Sequence, residues 1–342
     1  VIAAYKDYVA AQKNNDLAAA EAAAERAWRA SEAQSGDGGK TAILAFNLAI
    51  ARLSLDHDAA AVEPARRAVA LAQKGAAGVD PLAARLILGH ALVAANYAEA
   101  KVLLPPALVE ARAANADVRA AAYDAASAFA KTAGDRKDWT ASAEAYGSAF
   151  DYAEWSAGDV EMNRGTALIG RGVAFAAQHK DPQAFEALAQ AVNRLAPLAP
   201  ERADDETTAG ELYYANALAW WSAISSRMSS EKQVRDSTSV RARRPLLNKG
   251  PLCPLSWSID PPIRYPAGQA NTYGVGGAVI KISVDAAGNV VGHRVLAAVP
   301  TKEFGAALEN PRAKWTVKPA KNAPLGCRLE SKGHLVQVHY SF

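Results

Sequence analysis

The residues best suited to redox or metal chemistry are two cysteines and six histidines. Cys253 and Cys327 lie far apart in the sequence, whereas the ligands of a structural metal site are usually closely spaced. We therefore favour a disulfide formed in an oxidising compartment, with two unrelated buried thiols as the alternative. Such a bridge would stabilise the C-terminal part by roughly 3–5 kcal/mol.

Other candidates for chemistry lack the spacing that their chemistry needs. His293, His334 and His339 show no pairing at i and i+4, so we predict no metal site. The glycine-rich stretch 274–277 precedes a strand pattern rather than a helix, which argues against a nucleotide cradle. We expect no catalytic residue, no cofactor and no small-molecule substrate. An enzyme hidden in the N-terminal part is the least favoured interpretation.

The two ends of the chain differ in charge. Residues 1–240 contain 24 basic and 30 acidic residues, a net charge of −6, whereas residues 241–342 contain 14 and 5, a net charge of +9. The basic part could face an acidic partner, or the asymmetry could simply be solvated. Aromatic residues do not alternate with Arg241, Arg243 and Arg244, so nucleic acid is not expected. The sequence has no apolar run long enough for a membrane-spanning helix, and a signal or anchor would precede Val1.

The first 230 residues have the pattern of a helical repeat. Alanine dominates, and polar turn residues recur roughly every 40 residues, at Asp16, Asp58, Asn96, Asp138 and Asp181. Asp and Asn side chains accept hydrogen bonds from the free amides of a first helical turn, so each marker predicts a helix N-cap. We expect a helical solenoid of about ten or eleven antiparallel helices, ending near Met228, with no strand before it.

One stretch resembles the tetratricopeptide-repeat (TPR) family. Leu88-Gly89-His90-Ala91-Leu92 is followed by Asn96-Tyr97-Ala98-Glu99-Ala100 and then by Ala107-Leu108. A weaker copy starts at 46–50. The family's usual period is about 34 residues, so these repeats are longer. The resemblance covers about residues 1–230 and implies the fold rather than the ligand.

A proline-rich segment, residues 231–260, predicts a linker, and strand patterns follow it. Ile280, Ile282 and Val284 alternate with more polar positions, which is typical of a half-buried strand. Residues 285–289 suit a hairpin loop, and residues 290–298 suit the return strand. We predict next a helix carrying Phe304, Ala307 and Leu308, with Trp315 at its exit. A final strand would run from Leu335 to Phe342.

This C-terminal part resembles the TonB C-terminal family. The matching motifs are Pro261-Pro262-Ile263-Arg264-Tyr265-Pro266 with Ala270; Gly277, Val279, Ile282, Val284, Asp285, Gly288 and Val290; Phe304, Ala307, Leu308, Lys314-Trp315 and Lys318-Pro319-Ala320; and Val336 to Phe342. Pro311 departs from the family pattern by interrupting the helix, and helical repeats stand where the family has a proline-rich spacer. The resemblance covers residues 261–342. The chain is thus expected to be a TPR-like α-solenoid followed by a three-stranded antiparallel sheet with a helix.

The order of the strands in that sheet follows from chain connectivity. The hairpin makes the first two strands antiparallel, and the helix returns the chain so that the third pairs with the first. The order is therefore two–one–three, with a helix on one face and two open edges.

The final strand is predicted to bind a partner through its free edge. Its even positions would pack on the helix, whereas Leu335, Gln337, His339 and Ser341 form the partner-binding set. Open strand edges are usually protected from further pairing by charged residues or proline, but this strand contains no lysine, arginine or proline. A dimer mate or the linker covering the edge is the alternative.

The TonB resemblance implies a periplasmic protein of a Gram-negative cell envelope. We expect a protein–protein interaction adaptor for envelope proteins, including an outer-membrane protein or a TonB-dependent receptor, within a larger assembly. The alternative is a variant TonB energy transducer that acts on TonB-dependent transporters.

Overall fold

The computed structural model describes residues 1–201, 206–228, 251–260, 266, 273–309 and 314–341. The chain forms two compact units, Val1–Val160 and Glu161–Phe342. Predictions about the arginines at 241–244, residues 261–265, Ala270, Pro311 and Phe342 concern positions outside the described residues. The sequence-based boundaries near residues 230 and 260 remain predictions, although the contacts group the last helices with the strands.

The first unit consists of helical hairpins. Its helices are α1 (Ile2–Lys13), α2 (Leu17–Ser35), α3 (Gly39–Leu53), α4 (Asp58–Gln73), α5 (Pro81–Ala95), α6 (Tyr97–Glu110), α7 (Ala116–Asp135) and α8 (Trp139–Tyr152). The second unit contributes α9 (Val160–Ala177), α10 (Asp181–Leu195) and α11 (Ala209–Arg227). Eleven helices therefore precede the first strand in the described residues, and the last ends next to Met228. This agrees with the predicted number of helices for the described residues, whereas the end of the repeat domain near Met228 stays a prediction, because residues 229–250 lie outside the described set.

Alanine allows the helices of the first unit to approach closely. Ala42, Ala45 and Ala65 are fully buried, and Leu48 and Leu71 fill the space between them. Methyl-sized side chains lose little rotamer entropy in a helix and leave room for a neighbouring backbone. The alanine-rich pattern thus determines both helix formation and the tight packing of the hairpins.

The predicted N-caps are correct at three of the five markers. Asp16, Asn96 and Asp138 each accept a hydrogen bond from a backbone amide of the following helix. Asp58 and Asp181 instead are the first residues of α4 and α10, and the cap positions belong to the residues before them. Asp16 and Asp138 directly follow a residue with positive φ. Before Asp58 and Asp181 one residue separates the positive-φ position from the acid, so the acid lies in the first helical turn. There it still interacts favourably with the helix dipole.

The second unit contains two antiparallel sheets. Its elements after α11 are β1 (Leu255–Asp260), β2 (Val275–Val284), β3 (Val290–Val299), α12 (Glu303–Ala306), β4 (Lys314–Pro319) and β5 (Ser331–Ser341). The larger sheet has the order β3-β2-β5, with β2 antiparallel to both neighbours. This confirms the predicted order. The smaller sheet is a ribbon of β1 and β4, with Trp257 opposite Val317.

Two elements of this unit differ from the sequence-based prediction. Residues 255–260 form a strand rather than linker, because Leu255, Trp257 and Ile259 alternate with polar residues and pack on the core. The predicted helix is short, since α12 ends at Ala306 and is followed by a 3-10 turn. Trp315 lies in β4 rather than at a helix exit.

The larger sheet is covered on both faces. Phe304, Leu308 and the β1–β4 ribbon pack on the face that carries Ile280 and Ile282. The other face packs against α11, where a Cβ atom added to Gly277 would lie 2.5 Å from the Ala219 carbonyl oxygen. The prediction of one covered face is therefore wrong. Only glycine at 277 allows the helix backbone to come this close to the strand.

We predict that Gly277→Ala destabilises the second unit by about 1–3 kcal/mol, because the added methyl group meets backbone that cannot rotate away. Amide hydrogen exchange of β2 measured in the full chain would report the loss locally. Gly292→Ala is the matched control, since its Cβ would make only ordinary contacts, the nearest at 3.8 Å from the Ser283 Cβ. Equal exchange rates in the two variants would contradict the close approach.

Candidate partner-binding site

The predicted partner-binding strand, β5, pairs with β2 along its whole length. The register runs from Val275 opposite Ser341 to Val284 opposite Ser331, with one irregularity between Ile282 and Val284. In the part of the chain that the structure describes, no strand pairs with the other edge of β5. The backbone groups along that edge are a template for an added strand.

The even positions of β5 hold the strand on the hydrophobic core. Val336, Val338 and Tyr340 are buried in the cluster that contains Phe304. The Tyr340 hydroxyl donates a hydrogen bond of 2.8 Å to the Phe304 carbonyl oxygen, and burial raises the pKa of this phenol to about 12. The predicted packing of these positions against the helix region is confirmed.

The sequence predicted that the odd positions of β5 face outward. In the structure they do not all do so. Leu335 and Gln337 are half-buried, because α11 covers this face of the sheet, whereas His339 is exposed. The backbone of Ser341 pairs with β2, and its side chain lies outside the described set. The partner-binding role of these four residues stays a prediction, and among the three whose side chains are described only His339 is exposed.

A buried ion pair joins α11 to the centre of the sheet. The Lys281 ammonium lies 3.1 Å from a Glu211 carboxylate oxygen, and the two side chains are 5% and 1% exposed. Lys281 also donates a hydrogen bond of 3.0 Å to the Glu206 carbonyl oxygen. Sequence reasoning placed Lys281 on a polar face. The apolar strand residues on either side of Lys281 could have indicated that it is buried, but its partner Glu211 lies 70 residues earlier in the chain.

A second buried carboxylate anchors the start of β5. Glu201 forms an ion pair with Arg328 and accepts a hydrogen bond of 2.8 Å from the Ser331 hydroxyl. The Nε2 atom of His334, three residues after Ser331 in β5, lies 2.5 Å from the Leu329 carbonyl oxygen. These contacts fix the segment that leads into the candidate edge.

The disulfide between Cys253 and Cys327 is present, with a Cα–Cα distance of 4.9 Å. Two backbone hydrogen bonds of 3.0 Å lie next to it: the Cys253 amide donates to the Arg328 carbonyl oxygen, and the Arg328 amide donates to the Pro251 carbonyl oxygen. As predicted, the bridge ties the segment before β1 to the loop before β5. It therefore links the small ribbon to the larger sheet covalently.

Metal-ligand clusters and membrane-spanning helices are both absent from the described residues. Within the described ranges, no group of three or more His, Cys, Asp or Glu side chains is placed to hold a metal ion. None of the described helices is long and apolar enough to cross a membrane.

Comparison with solved structures finds similarity to the nearly identical TPR-like repeats of a Podosopora anserina protein described as a kinesin light chain. The TM-score is 0.42 at 17% identity, covering 57% of this chain and 94% of that chain. A variant of the same repeats gives a TM-score of 0.42 at 18% identity, covering 57% of this chain and 93% of that chain. These values are too low to support a functional argument. No protein-family model matches the sequence, and no curated protein is significantly similar to it.

We predict that Lys281→Met destabilises the second unit by about 3–5 kcal/mol, because it leaves the buried Glu211 carboxylate without its ammonium partner. Hydrogen exchange of α11 and β2 in the full chain is the measurement. The double variant Lys281→Met/Glu211→Leu should recover most of the loss, since a buried pair can be replaced by apolar side chains at little cost. A double variant as unstable as the single one would show that the pair itself is not responsible.

The buried His334 predicts a loss of stability in acid. Burial lowers the pKa of its imidazole, and Arg328 lowers it further, against opposing effects of the Leu329 carbonyl and Glu201. The unfolded chain therefore binds a proton near pH 6.5 that the folded protein takes up only at lower pH. Between these two values the free energy of unfolding falls as the pH falls.

The check is the thermal unfolding midpoint at pH 7.5 and at pH 5.5. We expect His334→Gln to lose less stability than the wild type over this interval, whatever its stability at pH 7.5. Burial also lowers the pKa of His90, but that residue is present in both proteins and cancels from the difference. Parallel pH profiles would exclude His334 as a source.

Proposed function

We propose that this protein is a non-enzymatic protein–protein interaction adaptor of a Gram-negative cell envelope. The helical hairpins of the first unit bind one partner, and β5 of the second unit binds another by strand addition. The observation that carries the proposal is the β5 edge, which pairs with no strand in the described residues and which, from Leu335 to Ser341, contains no lysine, arginine or proline. Strand addition uses backbone hydrogen bonds for affinity and side-chain pockets for specificity.

Two further features support this proposal. The Cys253–Cys327 bridge fits an oxidising compartment such as the periplasm. The three-stranded antiparallel sheet with a short helix fits the kind of domain that the TonB-like motifs imply. Envelope proteins, including outer-membrane receptors, are the partner class that this resemblance implies.

A photo-crosslinking amino acid placed at His339 tests the proposal in the native envelope. His339 is exposed next to the free edge, so we expect a discrete crosslinked partner. Ser256, exposed on β1, is the control position, because it lies on the other sheet. The identity of the partner distinguishes the two functions, since a TonB-dependent transporter would favour energy transduction and a different envelope protein would favour the adaptor. Identical crosslinking patterns at His339 and Ser256 would refute the edge as a binding site.

A further inference from the structure

A groove lies between the outer edge of β3 and strand β4 of the ribbon. Its volume is about 530 Å³, within the range of ligand-binding clefts. It is lined by two continuous stretches, residues 288–293 and 314–317. Sequence analysis did not identify this site, because the two stretches are separated in the chain and β4 was assigned to a helix exit.

Aromatic rings line the groove and support it. The Trp315 ring lies 5.8 Å from that of His293 and 5.7 Å from that of Trp257. The Trp315 indole nitrogen is covered and has no hydrogen-bond partner in the described structure. A buried N–H group without an acceptor is destabilising. A shift of the ring toward a ligand acceptor would remove that cost.

Both walls of the groove are strands with a free edge. Among the described strands β3 pairs only with β2, and β4 pairs only with β1. The stretch 290–293 of β3 contains no charged residue and no proline, and Val291 is 67% exposed. An exposed apolar edge without such protection is the usual acceptor of an added strand.

The exposed basic residues of β4 lie in and beside the groove. Lys314 lines the groove, Lys318 is exposed one residue beyond the lining, and Asp260 is the acid that lies opposite Lys314 in the ribbon. The residues of the β3 wall that line the groove, 288–293, contain no acid. An extended segment with carboxylates would therefore be attracted here, whereas a basic segment would be repelled.

We propose that this groove binds an extended acidic peptide segment of a partner protein, which adds to the β3 edge. Its apolar side chains contact Val291 and the rings of Trp315 and His293, and its carboxylates lie near Lys314 and Lys318. The site is separate from the β5 edge, on the opposite side of the same sheet. It goes beyond the proposed function by giving the second unit two peptide-binding edges.

The test begins with a combinatorial library of nine-residue peptides, selected on the full chain. We expect the selected peptides to alternate apolar residues with Asp or Glu. Titrated into the isotope-labelled full chain, they should shift the indole N–H resonance of Trp315, which is assigned by its absence in Trp315→Phe. The shift of this indole resonance reports binding in the groove directly, so the result does not depend on finding a variant with weaker binding.

Charge reversal supplies the matched pair of variants. Lys314→Glu should bind the selected peptides about fivefold more weakly, whereas Lys321→Glu, with the same charge change in an exposed loop outside the groove, should bind about as tightly as the wild type. The inference is overturned if no acidic peptide is selected, if the Trp315 resonance does not move, or if the groove proves to mediate self-association. Peptides that shift only β5 amides would leave the proposed function standing and remove this site.

Discussion

The contact between α11 and β2 is the interaction on which the second unit depends. It requires a glycine at 277, where the Ala219 carbonyl comes too close for any side chain, and it buries the Lys281–Glu211 ion pair. With Phe304 and the ribbon on the opposite face, α11 and the ribbon cover the centre of the sheet on both sides. Both sites that we propose accordingly lie at strand edges, at β3 and β5.

The disulfide and Glu201 together determine where the ribbon lies. Cys253 is covalently joined to Cys327, and the neighbouring Arg328 is paired with the buried Glu201 carboxylate. Since β1 begins two residues after Cys253, this anchor limits how far the ribbon can move from the larger sheet. The groove between β3 and β4 exists because the ribbon is held near the sheet without being hydrogen-bonded into it.

Local sequence patterns predicted where the strands of this fold lie better than they predicted which residues are buried. The alternation of Ile280, Ile282 and Val284 indicated a strand, and the hairpin and chain return gave the order of the sheet. The same alternation placed Lys281 in solvent, because one sequence shows a charged side chain but not the distant Glu211 that compensates it. The prolines around β1 led to its assignment as linker, although Leu255, Trp257 and Ile259 already alternate with polar residues as in a strand.

The β3 and β5 edges lie on either side of β2, so β2 determines whether binding at one edge affects the other. A strand added to β5 and a strand added to β3 would both extend a sheet whose central strand is fixed by α11 and by the Lys281–Glu211 pair. A central strand held in this way cannot change its register without breaking buried contacts. Occupation of one edge should therefore leave the geometry of the other unchanged. The two partners would then bind independently, as the parts of an adaptor must.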